Sequence, residues 1–274
     1  MKRRLSSPSP CEAVVTAVCG AFIAASIGCQ SSPSVRSTSA SATPAPVATQ
    51  PSGPEPSSLP FVEATTAGAA RDAALPLVVA LHGLGDRPEH FIGLFEDFPV
   101  QARIIAPHSR SPYGEGFAWF APVGPMSDES APAMASAADD VARFALEAAR
   151  ARPTLGKPII TGFSQGGALS YAVAARHPDA VAASVPISGW LPPPLWPPTL
   201  PHDPPPIFAF HGTADSRVPL ERDRAGADAL EKVGFKVQLR VSEGVEHAIP
   251  PPVKQLVFAA LATACDEQRR AGAR

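Results

Sequence analysis

Ser164 is the residue in this sequence best placed to do chemistry. It stands in Gly162-Phe163-Ser164-Gln165-Gly166-Gly167, with glycine two residues to either side. A serine hydroxyl is a weak nucleophile until a base takes its proton, so the chemistry on offer is acyl transfer, given a histidine and a carboxylate to orient it. The glycines suit a strand that turns sharply into a helix, where two backbones come too close to admit a Cβ. Such a turn exposes Oγ at the carboxyl edge of a sheet. It also aims the N–H of Gln165, at the helix N-terminus, at the place where an oxyanion would form. The pattern alone is weak, because glycine usage produces it by chance in about a tenth of chains this long. Its flanks make it specific: Ile159 to Thr161 is a β-branched run, and Ala168 to Arg176 has the small and apolar content of a packed helix.

The base and the acid are sought on loops that follow strands. Ile207 to Phe210 reads as a strand leading into His211-Gly-Thr-Ala-Asp215, and Lys236 to Val241 as a last strand before Glu243-Gly-Val-Glu-His247. Asp215 as the orienting acid and His247 as the base complete the order serine, acid, histidine. His211 is a poor rival base because it shares a short loop with Asp215, and His202 lies in proline-rich chain with no positioning element. Asp203 stays open as a competitor for Asp215. Leu75 to Leu81, a buried strand, delivers His82-Gly-Leu-Gly-Asp86, and the N–H of Leu84 is the candidate second oxyanion donor. His82 reads as a structural histidine in preference to a catalytic one. Trp119, in an aromatic and glycine loop with Tyr113, Phe117 and Phe120, and Trp190 are candidates for the substrate pocket, with plain packing an equal role for each.

The elements that must position these residues alternate between strand and helix. Arg103 to Pro107 is a strand, Ala133 to Ala151 a crossover helix with Met134, Ala138, Val141, Ala145 and Ala148 on one face, and Ala180 to Ser188 a further buried strand. Helices follow over Pro219 to Val233 and from Pro252 to Ala264, and Phe61 to Arg71 offers one or two edge strands. This is an α/β chain with a mostly parallel central sheet and helices on both faces. Nine prolines fall in the 17 residues from Trp190 to Pro206, a segment expected to be irregular and to cap the carboxyl edge of the sheet.

Taken together, Leu81-His-Gly-Leu-Gly-Asp86, Ala106-Pro-His108, Ala118-Trp-Phe120, Gly162-Phe-Ser-Gln-Gly-Gly167, Ser188-Gly-Trp-Leu-Pro192, His211-Gly-Thr-Ala-Asp215 with Val218-Pro219, and His247 resemble the phospholipase/carboxylesterase family of α/β hydrolases. That family includes acyl-protein thioesterases and small bacterial carboxylesterases, and the likeness covers about residues 75 to 265. The resemblance implies the α/β-hydrolase fold, a carboxylic ester or thioester as small-molecule substrate, a triad of Ser164, Asp215 and His247, and an oxyanion hole from Leu84 and Gln165. It departs in the proline-rich stretch after Trp190, which leaves acyl-chain preference open. An exported esterase acting on polymeric or aromatic esters, and a surface binding protein without catalysis, are the alternatives.

The first sixty residues do not look folded. Lys2-Arg3-Arg4, an apolar run from Ala13 to Gly28 and then Cys29 read as a lipoprotein-type export signal over 1–29, with Cys29 as the lipidated residue. Residues 31 to 60 hold 23 Ser, Thr, Ala or Pro out of 30, so 30–60 reads as a disordered tether to a catalytic domain over 61–274. With Cys11 and Cys19 lost with the signal and Cys29 lipidated, Cys265 would be left as a free thiol. The net charge of -2 becomes -4 without residues 1–28, which carry three positive charges and one negative one, and gives no sign of nucleic-acid binding. No metal or cofactor motif is present. The expected location is a bacterial membrane, through the lipid anchor; the oligomeric state is not legible.

Overall fold

A computed structural model describes residues 59–122 and 127–272. The export signal, Cys29 and the tether up to residue 58 lie outside them. In chain order the strands are β1 (Phe61–Thr65), β2 (Leu77–Leu81), β3 (Arg103–Pro107), β4 (Ser111–Tyr113), β5 (Gly116–Ala118), β6 (Ile159–Phe163), β7 (Ala183–Ile187), β8 (Ile207–Gly212) and β9 (Val237–Ser242). The helices are α1 (Pro88–Phe91), α2 (Ala131–Arg150), α3 (Gln165–Arg176), α4 (Leu220–Val233) and α5 (Pro251–Gly272).

Seven strands form one sheet in the order β1-β3-β2-β6-β7-β8-β9. All neighbours are parallel except β1, which runs antiparallel to β3 at the edge. The mostly apolar strands β2, β3 and β7 have every residue buried because both faces of the sheet are covered, with the charge of Arg103 in β3 paired with Glu63. Successive side chains alternate between two cores: Leu77, Val79 and Leu81 join α2, α3 and α4, whereas Val78 and Ala80 join α1 and α5. The expected apolar face of α2 is buried throughout. Among the described residues no helix is long and apolar enough to cross a membrane.

Two segments differ from the sequence reading. The aromatic loop contains a short hairpin, β4 paired with β5, too brief and too exposed on β4 to leave a period-two signal. The proline-rich segment starts at the carboxyl edge but does not stay there as a cap. Because β7 and β8 are parallel, the chain must return to the amino edge, and it does so with a single 3₁₀ turn at Pro193–Leu195 in place of a crossover helix. Along this path Leu191 packs on Gly226 of α4, and Leu200 lies beside Gly234 at the end of that helix.

Candidate active site

Ser164 sits between β6 and α3 with φ 57° and ψ -116°, a conformation that a non-glycine residue holds only under constraint from its surroundings. The constraint is visible in the glycines. A Cβ on Gly162 would come within 2.5 Å of the Gly166 backbone, one on Gly166 within 2.1 Å of Leu81 O, and one on Gly167 within 2.5 Å of Ile187 O. Strand and helix are thus pressed against β2 and β7, and the serine N–H is tied to Ile187 O at 2.9 Å.

Asp215 and His247 come from the loops after β8 and β9. His247 Nδ1 lies 2.7 Å from Asp215 Oδ2. The other carboxylate oxygen, Oδ1, accepts the backbone N–H groups of Arg217 at 3.0 Å and Val218 at 2.8 Å. An ionised carboxylate only accepts, so Nδ1 of His247 carries the hydrogen and Nε2 is left basic. Burial pushes the Asp215 carboxyl up, but the Val218 N–H, the His247 ring and the Arg217 N–H outweigh it, and its pKa lies below the ordinary value. Burial also lowers the His247 pKa; contact with Asp215 opposes this, Arg217 and His211 add to it, and the ring titrates below its ordinary value.

Ser164 and His247 line the same cavity of about 550 Å³, together with Leu84, Gln165, Phe120, Trp190 and Val218. Among the described residues Ser164 Oγ makes no hydrogen bond, and the Phe163 ring packs on the His247 ring, tilted by 35° with centroids 4.6 Å apart. Nucleophile and base are often loosely aligned without substrate, so shared lining by a serine and an oriented histidine is compatible with proton transfer on binding. The N–H of Leu84 has no acceptor among the described residues, whereas its neighbours Gly85 and Asp86 donate to Phe117 O and Gly83 O. Gln165 opens α3, so its N–H has no intrahelical acceptor. Both residues line the cavity, and neither N–H is taken up by an acceptor among the described residues.

The remaining candidates separate. Trp190 lines the cavity and is 3% exposed, and its Nε1 has no hydrogen-bond partner among the described residues. Trp119 lines a neighbouring hollow instead; it stacks on His82 at 5.0 Å, and its Nε1–H donates to His82 O at 2.9 Å. Its backbone N–H is held by Gln165 Oε1 at 3.0 Å, while Gln165 Nε2 donates to Phe120 O at 3.0 Å. Trp119 thus braces the loop that carries Leu84, and the β4–β5 hairpin does the same through Gly85 and Asp86. Sequence reasoning missed this brace because its contacts join segments some thirty to fifty residues apart. Buried His82 donates Nδ1–H to Gly83 O at 2.8 Å and does not line the cavity. His202 and Asp203 are exposed on the crossover segment. His211 is buried behind Asp215. Among the described residues no cluster of His, Cys, Asp or Glu could hold a metal ion.

Comparison with known proteins gives concordant results. The sequence profile of the family described as Phospholipase/Carboxylesterase matches residues 64–263. A protein of Oryza sativa subsp. japonica named "Probable carboxylesterase" is 34% identical over 95 residues, which are 33% of this chain and 35% of that protein. "Acyl-protein thioesterase 1" of Gibberella zeae is 30% identical over 98 residues, 34% of this chain and 42% of that protein. The aligned parts thus span less than half the length of either relative. The crystal structure of esterase PE8 superposes with a TM-score of 0.65 at 23% identity, covering 75% of this chain and 99% of that one, and shares the fold.

Proposed function

The chain belongs to the phospholipase/carboxylesterase family, and we propose that it hydrolyses carboxylic esters or thioesters through an acyl-enzyme on Ser164. One observation carries this reading: a serine held at φ 57° shares its cavity with a histidine whose Nδ1 lies 2.7 Å from a buried carboxylate. The names of the two relatives support an acyl hydrolase in particular.

In the proposed mechanism Ser164 Oγ bonds to the carbonyl carbon while its proton passes to His247 Nε2. The N–H groups of Leu84 and Gln165 receive the oxyanion; in enzymes of this kind one such donor is worth about 3 kcal/mol. The bond from carbon to the leaving oxygen or sulfur then breaks, and the leaving group takes the proton from His247. Water repeats the sequence, giving a proton to His247 and releasing the acid, and the proton returns to Ser164. Asp215 keeps Nδ1 protonated throughout, and so holds the productive tautomer. The cavity of about 550 Å³ with Leu84, Phe120 and Trp190 in its wall favours short to medium acyl chains. Lys2-Arg3-Arg4, the apolar run and Gly28-Cys29 support export and lipid attachment. A panel of p-nitrophenyl esters from acetate to palmitate tests the reading: turnover should be highest for short and medium chains. No turnover of any ester by folded protein contradicts it, and a rate rising steadily to palmitate contradicts the chain-length part.

A further inference from the structure

Behind Asp215 runs a buried polar chain that this mechanism does not use. Tyr171 of α3, fully buried, donates its hydroxyl hydrogen to Asp223 Oδ1 of α4 at 2.6 Å. Asp223 Oδ2 lies 2.6 Å from Nδ1 of His211, at the end of β8. His211 Nε2 in turn lies 2.8 Å from Val218 O and 3.5 Å from Asp215 Oδ2. A carbonyl oxygen only accepts, so Nε2 carries a hydrogen and donates it to Val218. One further proton lies between Nδ1 and Asp223. Burial raises the Asp223 carboxyl, and burial of His211 is outweighed by Asp223, so that its ring is raised as well. The hydrogen-bond geometry thus places two hydrogens on the pair, one on Nε2 and one between Nδ1 and Asp223.

Burying such groups is costly, and apolar side chains of similar volume often serve stability as well or better. The chain does something that apolar packing would not. It ends on the carbonyl of Val218, whose own N–H is one of the two donors that hold Asp215 Oδ1. We propose that Tyr171, Asp223 and His211 form a positioning device in which His211 clamps Val218, and so fixes the turn that orients Asp215 and, through it, His247. The inference rests on the catalytic reading given above.

Loss of the clamp should loosen the Asp215–His247 pair, which lowers kcat more than it changes KM. The charged and titratable groups around His247 are Asp215, Arg217 and His211, and of these only Asp215 raises its pKa. A weakened Asp215 contact would therefore move the acidic limb of kcat/KM to lower pH, whereas simple removal of a charge on His211 would move it to higher pH.

The test uses the full chain and a soluble p-nitrophenyl ester. In His211→Gln the amide can place an N–H where Nε2–H stood, whereas the shorter amide of His211→Asn reaches only the Nδ1 position. Kinetics on His211→Asn should show kcat lower by about ten- to a hundredfold, KM within about threefold and the acidic limb at lower pH, with His211→Gln recovering most of the rate. The inference is overturned if folded His211→Asn keeps kcat within about twofold, if its limb moves upward, or if His211→Gln is damaged equally at unchanged Tm. Should His211→Asn not fold, Asp223→Asn decides. Its amide can donate to Nδ1 while its oxygen accepts from Tyr171, so it should recover most of the rate that Asp223→Ala loses, about tenfold or more with KM within about threefold; folded Asp223→Ala with kcat within about twofold, or Asp223→Asn damaged equally at unchanged Tm, overturns the inference. A wild type that turns over while these variants behave otherwise sinks only this inference; a wild type without turnover sinks the catalytic reading first.

Discussion

At the scale of single residues, the proposed mechanism needs each group in one proton state. Two backbone N–H groups and the His247 ring hold Asp215 ionised, and the ionised acid keeps His247 protonated at Nδ1 alone. If His247 is the base it must be neutral at Nε2 to act, so activity should be present above the His247 pKa and lost as pH falls through it. Because burial lowers that pKa, the acidic limb of kcat/KM should have its midpoint below about 6.5, the usual imidazole value. A pH–rate profile with a limb above that value would contradict the assignment of the base. Asp215→Asn should lower kcat by about 10⁴, since the imidazole survives but its tautomer is no longer enforced. Single-turnover kinetics on the folded variant check this.

At the scale of elements, the turn at Ser164 depends on backbones packed too closely for side chains. Gly166→Ala would drive a Cβ to within 2.1 Å of Leu81 O, a backbone atom that cannot swing aside. Overpacking of this kind costs typically about 1–3 kcal/mol, and backbone against backbone belongs at the upper end. Chemical denaturation should show that loss; an unchanged midpoint would mean that strand and helix are less tightly apposed than described. These elements were the legible ones. The strands at 77–81, 103–107 and 183–187 are mostly apolar because both faces of the sheet are covered, and glycine spacing marked the turn at Ser164. The hairpin at 111–118 was not legible, since its strands are three residues long and its function is to brace the Leu84 loop from a distance. Trp119 read equally as a pocket or a packing residue, because an aromatic in a loop gives no sign of whether it meets substrate or a neighbouring histidine. Nor could sequence show that His211 reaches Asp223 and Tyr171, because those partners lie on two helices whose patterns mark only their apolar faces.

At the scale of the whole molecule, the described residues carry the cavity and all the residues proposed to act in it, whereas the proposed export signal and lipid site lie earlier in the chain. Location and catalysis should therefore separate cleanly. Cys29→Ala should leave ester turnover intact while moving the protein from membranes to a soluble fraction or blocking its processing, and cell fractionation reads the outcome. If the variant fractionates and migrates like the wild type, lipid attachment at Cys29 is wrong and catalysis is untouched by that result. The central claim is that Ser164 is an activated nucleophile, as opposed to a serine merely exposed in a cavity. A fluorophosphonate probe measures this directly, because it reacts with an activated oxygen and leaves a mappable adduct. One adduct is expected, on Ser164, lost in Ser164→Ala and strongly suppressed in His247→Ala, with both variants folded. Absence of labelling on folded wild-type protein, or labelling of Ser164 that persists undiminished in His247→Ala, would contradict it.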